Sequence, residues 1–227
     1  MKKRRTCPGR NARRRMRRME RMNKRLLSAI QKLRNENSHL VLPISSPPKE
    51  ERQDFCMIFK SELDALKRMV AVYPDRETGG TLFGHITRTG AMVIDLVTEA
   101  GPNSIHSTCN FEPDLAYEET IAGKIINTYA IESIGTFHSH HRLGLSEPSI
   151  GDIEMVRRLW TALPPPITRY IMMIATIEGH DVNVIPYLFE RDRPSEKPRK
   201  LHLFVSETLS PFHGLLKKEH PYGQRAS

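Results

Sequence analysis

Charge along this 227-residue chain is split so sharply that its opening segment and its remainder read as different kinds of polypeptide. Residues 1–34 hold fifteen lysines and arginines against one acid, Glu20, a net of +14. The rest has twenty basic and twenty-five acidic residues, a net of −5, so the overall +9 belongs to the arm. A like-charged block of this kind is a solvated tail, suited to phosphates or acidic surfaces. A compact fold is expected only downstream, and nucleic-acid binding is a hypothesis for the arm, not for the domain.

Within the arm, Met16, Met19, Met22, Leu26, Ile30 and Leu33 recur at steps of three and four, the period of a helix with one apolar stripe. Such a stripe packs on its own domain or on a partner helix, or lies on a membrane surface or nucleic acid. Asn35, Ser38, Pro43, Pro47 and Pro48 then break the pattern. These signals divide the chain into a basic amphipathic helical arm (1–35), a linker (36–53), a folded domain (54–205) and a C-terminal tail (206–227).

In the domain, FCMIF predicts a short strand, and SELDALKRMVAVY a helix with Ser61 as N-cap and Leu63, Leu66, Met69 and Val70 on one face. ETGGTLFGHI and AMVIDLVTEAG read as strands joined by the turn TRTG. A helix opens near Pro113, IESIGTFHSH is a strand, and PSIGDIEMVRRLWTAL is a helix with Ile150, Ile153, Val156, Leu159 and Trp160 near one face. YIMMIATIE and DVNVIPYLFE pair around Gly179, and LHLFVSETL adds a last strand. Strict βαβα alternation is lacking, so the expected class is α+β, a mixed three-layer sandwich with a central mixed sheet flanked by helices.

No apolar run approaches the ~20 residues of a membrane span. The basic start has no apolar stretch behind it and does not read as a secretory signal. Cys7, Cys56 and Cys109 are odd in number and far apart, which points to a reducing, cytoplasmic setting and away from a cysteine-based zinc site.

The segment GTFHSHHRLGLSEPSIGDIE (135–154) carries the chemistry. His138 and His140 are two apart in a strand, so both side chains leave one face with Cα atoms roughly 6–7 Å apart. Two imidazoles so placed can converge on one zinc ion, and Asp152, in the first turn of the next helix, can add a third ligand. Two histidines and a carboxylate leave a position for water, as in catalytic zinc sites. His141 points away or lies in the loop. The same residues also fit a hydrogen-bonded histidine pair followed by a helix with a Ser149–Asp152 capping box, and both readings of Ser149 and Asp152 can hold together.

Glu77-Thr-Gly-Gly-Thr-Leu-Phe-Gly84, His138-Ser-His140 and Pro148-Ser149-Ile-Gly-Asp152, in that order, resemble the JAMM (MPN-plus, or JAB) zinc metalloproteases. TEAGPNS and NFEPD are similar to stretches of the bacterial, deubiquitinase-like members, and the likeness spans roughly residues 54–190. It implies a JAB/MPN-like fold and one catalytic Zn2+ held by His138, His140 and Asp152. It also implies Glu77 as the general base toward the zinc-bound water and Ser149 as the hydrogen-bond donor to the oxyanion. The implied activity is cleavage of an isopeptide or peptide bond at the C-terminus of a ubiquitin-like modifier. The implied setting is a bacterial conjugation system, some of which are antiviral, with activating- or conjugating-enzyme partners reached through the arm. From residues alone, ETGG reads equally as a strand start whose glycines admit a neighbouring backbone.

Two features depart from the family pattern. His141 stands where proline is usual, and eleven residues, not ten, separate His140 from Asp152. An extra residue in a solvent-facing loop can bulge outward. RadC-like DNA-associated proteins share part of the pattern but typically carry Asn where this chain has Ser139. A metal-free scaffold of the same fold would usually lack a ligand, whereas this chain keeps the whole set.

Overall fold

The structure, a computed structural model, describes residues 55–129, 131–163, 167–193 and 196–215. The arm and linker of the sequence reading lie outside these residues. Among the described residues, ten strands and three α-helices follow in order: β1 (Phe55–Phe59), α1 (Lys60–Val72), β2 (Gly79–Ile86), β3 (Met92–Val97), β4 (Ile105–Ser107), β5 (Asn110–Glu112), α2 (Leu115–Tyr129), β6 (Glu132–Ser139), α3 (Ile150–Ala162), β7 (Arg169–Glu178), β8 (Asp181–Glu190), β9 (Arg199–Lys200) and β10 (His202–Ser206). The class is mixed α+β, as the order of elements implied.

Eight strands make one mixed sheet, β10-β1-β3-β2-β6-β7-β8-β9, and β4 pairs with β5 as a separate hairpin. The sheet curls until one extended segment joins its two edges. Arg199 and Lys200 pair with Leu188 and Tyr187 of β8, Leu201 N–H donates to Pro186 O at 2.9 Å, and His202 onward pairs in parallel with β1. Near-continuous burial of β2, β3 and β7 follows from helices covering both faces. On one face, Leu63, Leu66 and Val70 of α1 meet Ile58, Ile94, Phe137, Ile171 and Met173. On the other, α2 packs Ile121, Ala122 and Ile125 on Phe83 and Leu96, while α3 packs Val156, Leu159 and Trp160 on Met172 and Ile174.

Two local expectations change. Ser61 does not cap α1: the N-cap is Phe59, without a side-chain bond, and the buried Ser61 hydroxyl donates to Glu62 and accepts from Ser210 N–H. That contact seats residues 210–215, whose Phe212 and Leu215 pack on the α2 cluster. Ile150, in the first turn of α3, leaves the apolar face and is 78% exposed. The β4–β5 hairpin was not expected, since its three-residue strands carry no apolar alternation.

Glu118 of α2 accepts the Thr81 hydroxyl bond at 3.1 Å, and burial pushes its carboxyl up to about 7. The folded protein thus holds a proton that the unfolded chain releases near pH 4.5. Protons are bound in excess by the folded state between these values, so stability falls as pH rises from about 4.5 to about 7 and is flat above. Glu118→Gln should leave thermal unfolding nearly unchanged at pH 4.5 and stabilise the protein by about 1–2 kcal/mol at pH 8.

Candidate metal centre

The ladder between β2 and β6 builds the site. Gly79 pairs with His138 and Gly80 with Phe137, and Ser139 N–H extends the ladder by donating to Thr78 O at 2.8 Å. One further step sets Glu77 opposite His140, on the face that carries both histidines, because side chains alternate along a strand. The two glycines serve close approach: a Cβ on Gly79 would stand 2.5 Å from Phe137 O, and one on Gly80 would stand 2.1 Å from Thr98 O. The ETGG stretch is therefore a strand start with glycines demanded by packing, and it also delivers Glu77.

His140 follows the last residue of β6 and continues the sheet by donating its N–H to Ala175 O at 2.8 Å. A single 3-10 turn, His141–Leu143, then reverses the chain and ends at Gly144 in the left-handed region (φ 67°). Tyr187 O–H pins the loop by donating to Ser146 O at 3.0 Å. The loop exposes residues 142–145 and returns to α3 at Ser149. There the capping box forms: Asp152 N–H donates to Ser149 Oγ at 3.2 Å, and Ser149 N–H donates to Asp152 Oδ2 at 2.7 Å.

These elements bring the expected ligand set together. His138 Nε2 stands 3.0 Å from His140 Nε2 and 3.4 Å from Asp152 Oδ1, and His140 Nε2 stands 3.6 Å from Asp152 Oδ2. A tetrahedral zinc with bonds of about 2.05 Å has ligand-to-ligand edges of about 3.3 Å, so the donor set fits such an ion in both chemistry and spacing. His140 Nδ1 donates to Leu145 O at 2.6 Å, which leaves Nε2 with its lone pair facing the other ligands. Among the described residues this is the group of three His, Cys, Asp or Glu side chains placed to hold a metal ion.

The electrostatics agree with that geometry. Burial alone would raise the Asp152 carboxyl, but bonds from both histidines hold it far below the usual carboxylate range. Burial opposes charge on His140, yet Asp152 and the Leu145 carbonyl outweigh it and raise its affinity for a proton. Glu77 is shifted upward by burial, and the charges of His138 and His140 offset part of this.

Ser149 is exposed at the helix start, and its Oγ already accepts one bond, so its own hydroxyl proton remains available. His141 is neither a ligand nor open to substrate: it is buried, has φ 35°, and its Nε2 donates to Thr108 O at 3.0 Å. Ser139, quoted in the sequence only as the residue between the histidines, is fully buried and accepts from Thr78 N–H at 3.0 Å. Strand alternation could have flagged it as facing away from the metal and toward the Glu77 segment.

No family model matches the sequence. A probable metalloprotease of Sinorhizobium fredii is 25% identical over 135 residues, covering 56% of this chain and 78% of that protein. The chain also resembles a protein of Desulfitobacterium hafniense known from a solution structure, with a TM-score of 0.51 and 16% identity over 70% of this chain and 98% of that one. A second solution structure, from Salinibacter ruber, gives a TM-score of 0.45 at 15% identity, over 69% and 95% of the two chains. The first structural likeness concerns the fold alone. The sequence likeness points to a metalloprotease-like protein. No helix among the described residues is long and apolar enough to cross a membrane.

Ligand binding by imidazole competes with protons, and His140 has a raised proton affinity. Zinc affinity should therefore fall steeply as pH drops from 7.5 toward about 5.5. His140→Ala and Asp152→Asn should each weaken zinc by a hundredfold or more, read by competition with a chromophoric chelator, with far-UV circular dichroism unchanged.

Proposed function

We propose that the chain is a zinc-dependent peptidase of the JAMM type, cleaving an isopeptide or peptide bond that follows the C-terminus of a ubiquitin-like modifier. The observation that carries this reading is the triangle of His138, His140 and Asp152 donor atoms at near-tetrahedral edges, with Glu77 on the same face. The bacterial motifs quoted from the sequence, and likeness to a probable metalloprotease, support it.

A zinc ion held by these three residues would polarise the scissile carbonyl and make an attacking water more acidic. Glu77 accepts the proton that this water loses and later passes it to the departing amine. Partial burial favours this double duty, since it moves the carboxylate toward the pH range in which it can both take and give a proton. Ser149 turns its free hydroxyl proton toward the oxygen that gains charge as the carbonyl becomes tetrahedral. The cap bond from Asp152 N–H fixes Ser149 Oγ in place without consuming that proton.

In this reading the domain of residues 54–205 extends through the packed residues 210–215, and the ion is zinc because a nitrogen-rich, three-ligand set with an open position suits it. The setting is a cytoplasmic bacterial conjugation system, of the class that includes antiviral ones. The basic arm docks the enzyme onto an activating or conjugating partner or onto the modified target.

A linear fusion of a bacterial ubiquitin-like protein to a reporter, cut after the modifier's terminal glycine, tests the activity. Cleavage should stop with a chelator, return with zinc, and drop by roughly a hundred- to ten-thousandfold in Glu77→Gln while zinc stays bound. Cleavage that persists in the chelator, or in Glu77→Gln, refutes the mechanism. Removing residues 1–35 should leave hydrolysis of this fusion within about twofold of the full chain while slowing release from a conjugated target by tenfold or more, as lost docking does. Equal rates on both substrates would exclude docking by the arm.

A further inference from the structure

We infer that His106, on the β4–β5 hairpin, is a positioning residue for Glu77, holding the backbone of the proposed base. This inference rests on the reading of Glu77 given above.

Glu77 lies before β2 begins, in a segment that has just left α1 through the turn at Tyr73–Arg76. On the β6 side, Ser139 bonds the two residues that flank Glu77, Thr78 and, through Oγ at 3.5 Å, Arg76 O, and leaves Glu77 itself to the hairpin. The bonds on Glu77 itself come from the hairpin: Glu77 N–H donates to Ser107 O at 2.8 Å, and His106 Nδ1 donates to Glu77 O at 3.0 Å. The next hairpin residue, Thr108, accepts the bond from His141 beside the ligand His140. Three successive residues thus tie the base segment and the ligand segment to one small element.

The imidazole is itself held. It stacks on Tyr73 with ring centroids 3.8 Å apart and planes 12° apart, and Phe111 lies 5.4 Å away on the hairpin's other strand. Ser104 Oγ sits 2.9 Å from its Nε2. A carbonyl can only accept, so the tautomer is the one with the proton on Nδ1. Burial and the nearby Arg76 charge disfavour a second proton on the ring, and the one Ser104 hydroxyl proton has two acceptors in reach, Nε2 at 2.9 Å and Gly101 O at 2.7 Å.

The consequence is geometric. A general base must come within hydrogen-bond reach of the proton it takes, and an error of about 1 Å can cost up to a hundredfold. The Glu77 side chain has to stay free to face the site, so its position is set through its backbone. The hairpin supplies both of the backbone bonds made by that residue.

Two variants separate the donor from the stack. His106→Phe keeps an aromatic ring against Tyr73 and removes the Nδ1 donor, whereas His106→Asn keeps a donor near Nδ1 and removes most of the stack. On the zinc-free full chain, amide exchange followed by NMR should quicken about tenfold at Glu77 in His106→Phe and stay within about threefold of wild type in His106→Asn. On the linear fusion, His106→Phe should lower kcat about tenfold with KM and zinc content unchanged, and His106→Asn should recover most of it. In a Glu77→Gln background His106→Phe should have no further effect, because the histidine acts through that carboxylate.

If His106→Asn is as impaired as His106→Phe, or if His106→Phe matches wild type in exchange and rate, the positioning role is wrong and the proposed peptidase is untouched. If Glu77→Gln cleaves as fast as wild type, the assignment of the base fails instead, and the exchange comparison still decides whether His106 holds that segment.

Discussion

The antiparallel pairing of β2 with β6, in the register that sets Gly79 against His138, is the constraint on which the site depends. Side chains alternate with a period of two, so a slip of one residue between these strands would turn Glu77 to the face opposite His138 and His140. The register is locked from several sides. Gly79 and Gly80 admit neighbouring carbonyls that any side chain would exclude, and β7 binds the far edge of β6 with Ile174 beside His138. Ser139, facing away from both imidazoles, grips the strand that leads to Glu77. One ladder thereby sets His138, His140 and the Glu77 carboxylate on one face.

The rest of the fold makes that ladder rigid. It lies at the centre of the eight-stranded sheet, with α1 against one face and α2 and α3 against the other. Closure by residues 199–206 joins β8 to β1, so the curvature that cups α1 does not depend on one edge alone. A site at the end of such strands needs little reorganisation to present its donors, which is what a metal centre of defined spacing requires.

Much of this was legible in residues. Period-two and period-3.6 patterns gave the main strands and helices, and the paired histidines two apart announced a common face. The capping box was equally plain, since Ser149 and Asp152 have the spacing a helix start demands. The missed parts have physical causes. β4 and β5 are short and only half-buried, so no hydrophobic alternation marks them. Ser61 looks like a cap because local sequence cannot show that Ser210, far along the chain, claims its hydroxyl. His141 reads as a loop histidine because its tie to Thr108 depends on a hairpin that the pattern hides. The Ser61 and His141 misses are long-range contacts made by polar side chains, where periodicity carries no information.

Asp152 shows how one local motif can set a distant geometry. Its Oδ2 accepts from Ser149 N–H as part of the cap, while the carboxylate as a whole faces the two imidazoles. The cap is therefore an orienting bond of the kind that tunes metal ligands, present before any ion arrives. The position also favours the charged form, because the N-terminus of α3 carries a partial positive charge. A loop of any length that still ends in this box delivers the same carboxylate at the same angle. The cap, and not the exposed turn around Gly144, therefore sets the direction of the carboxylate.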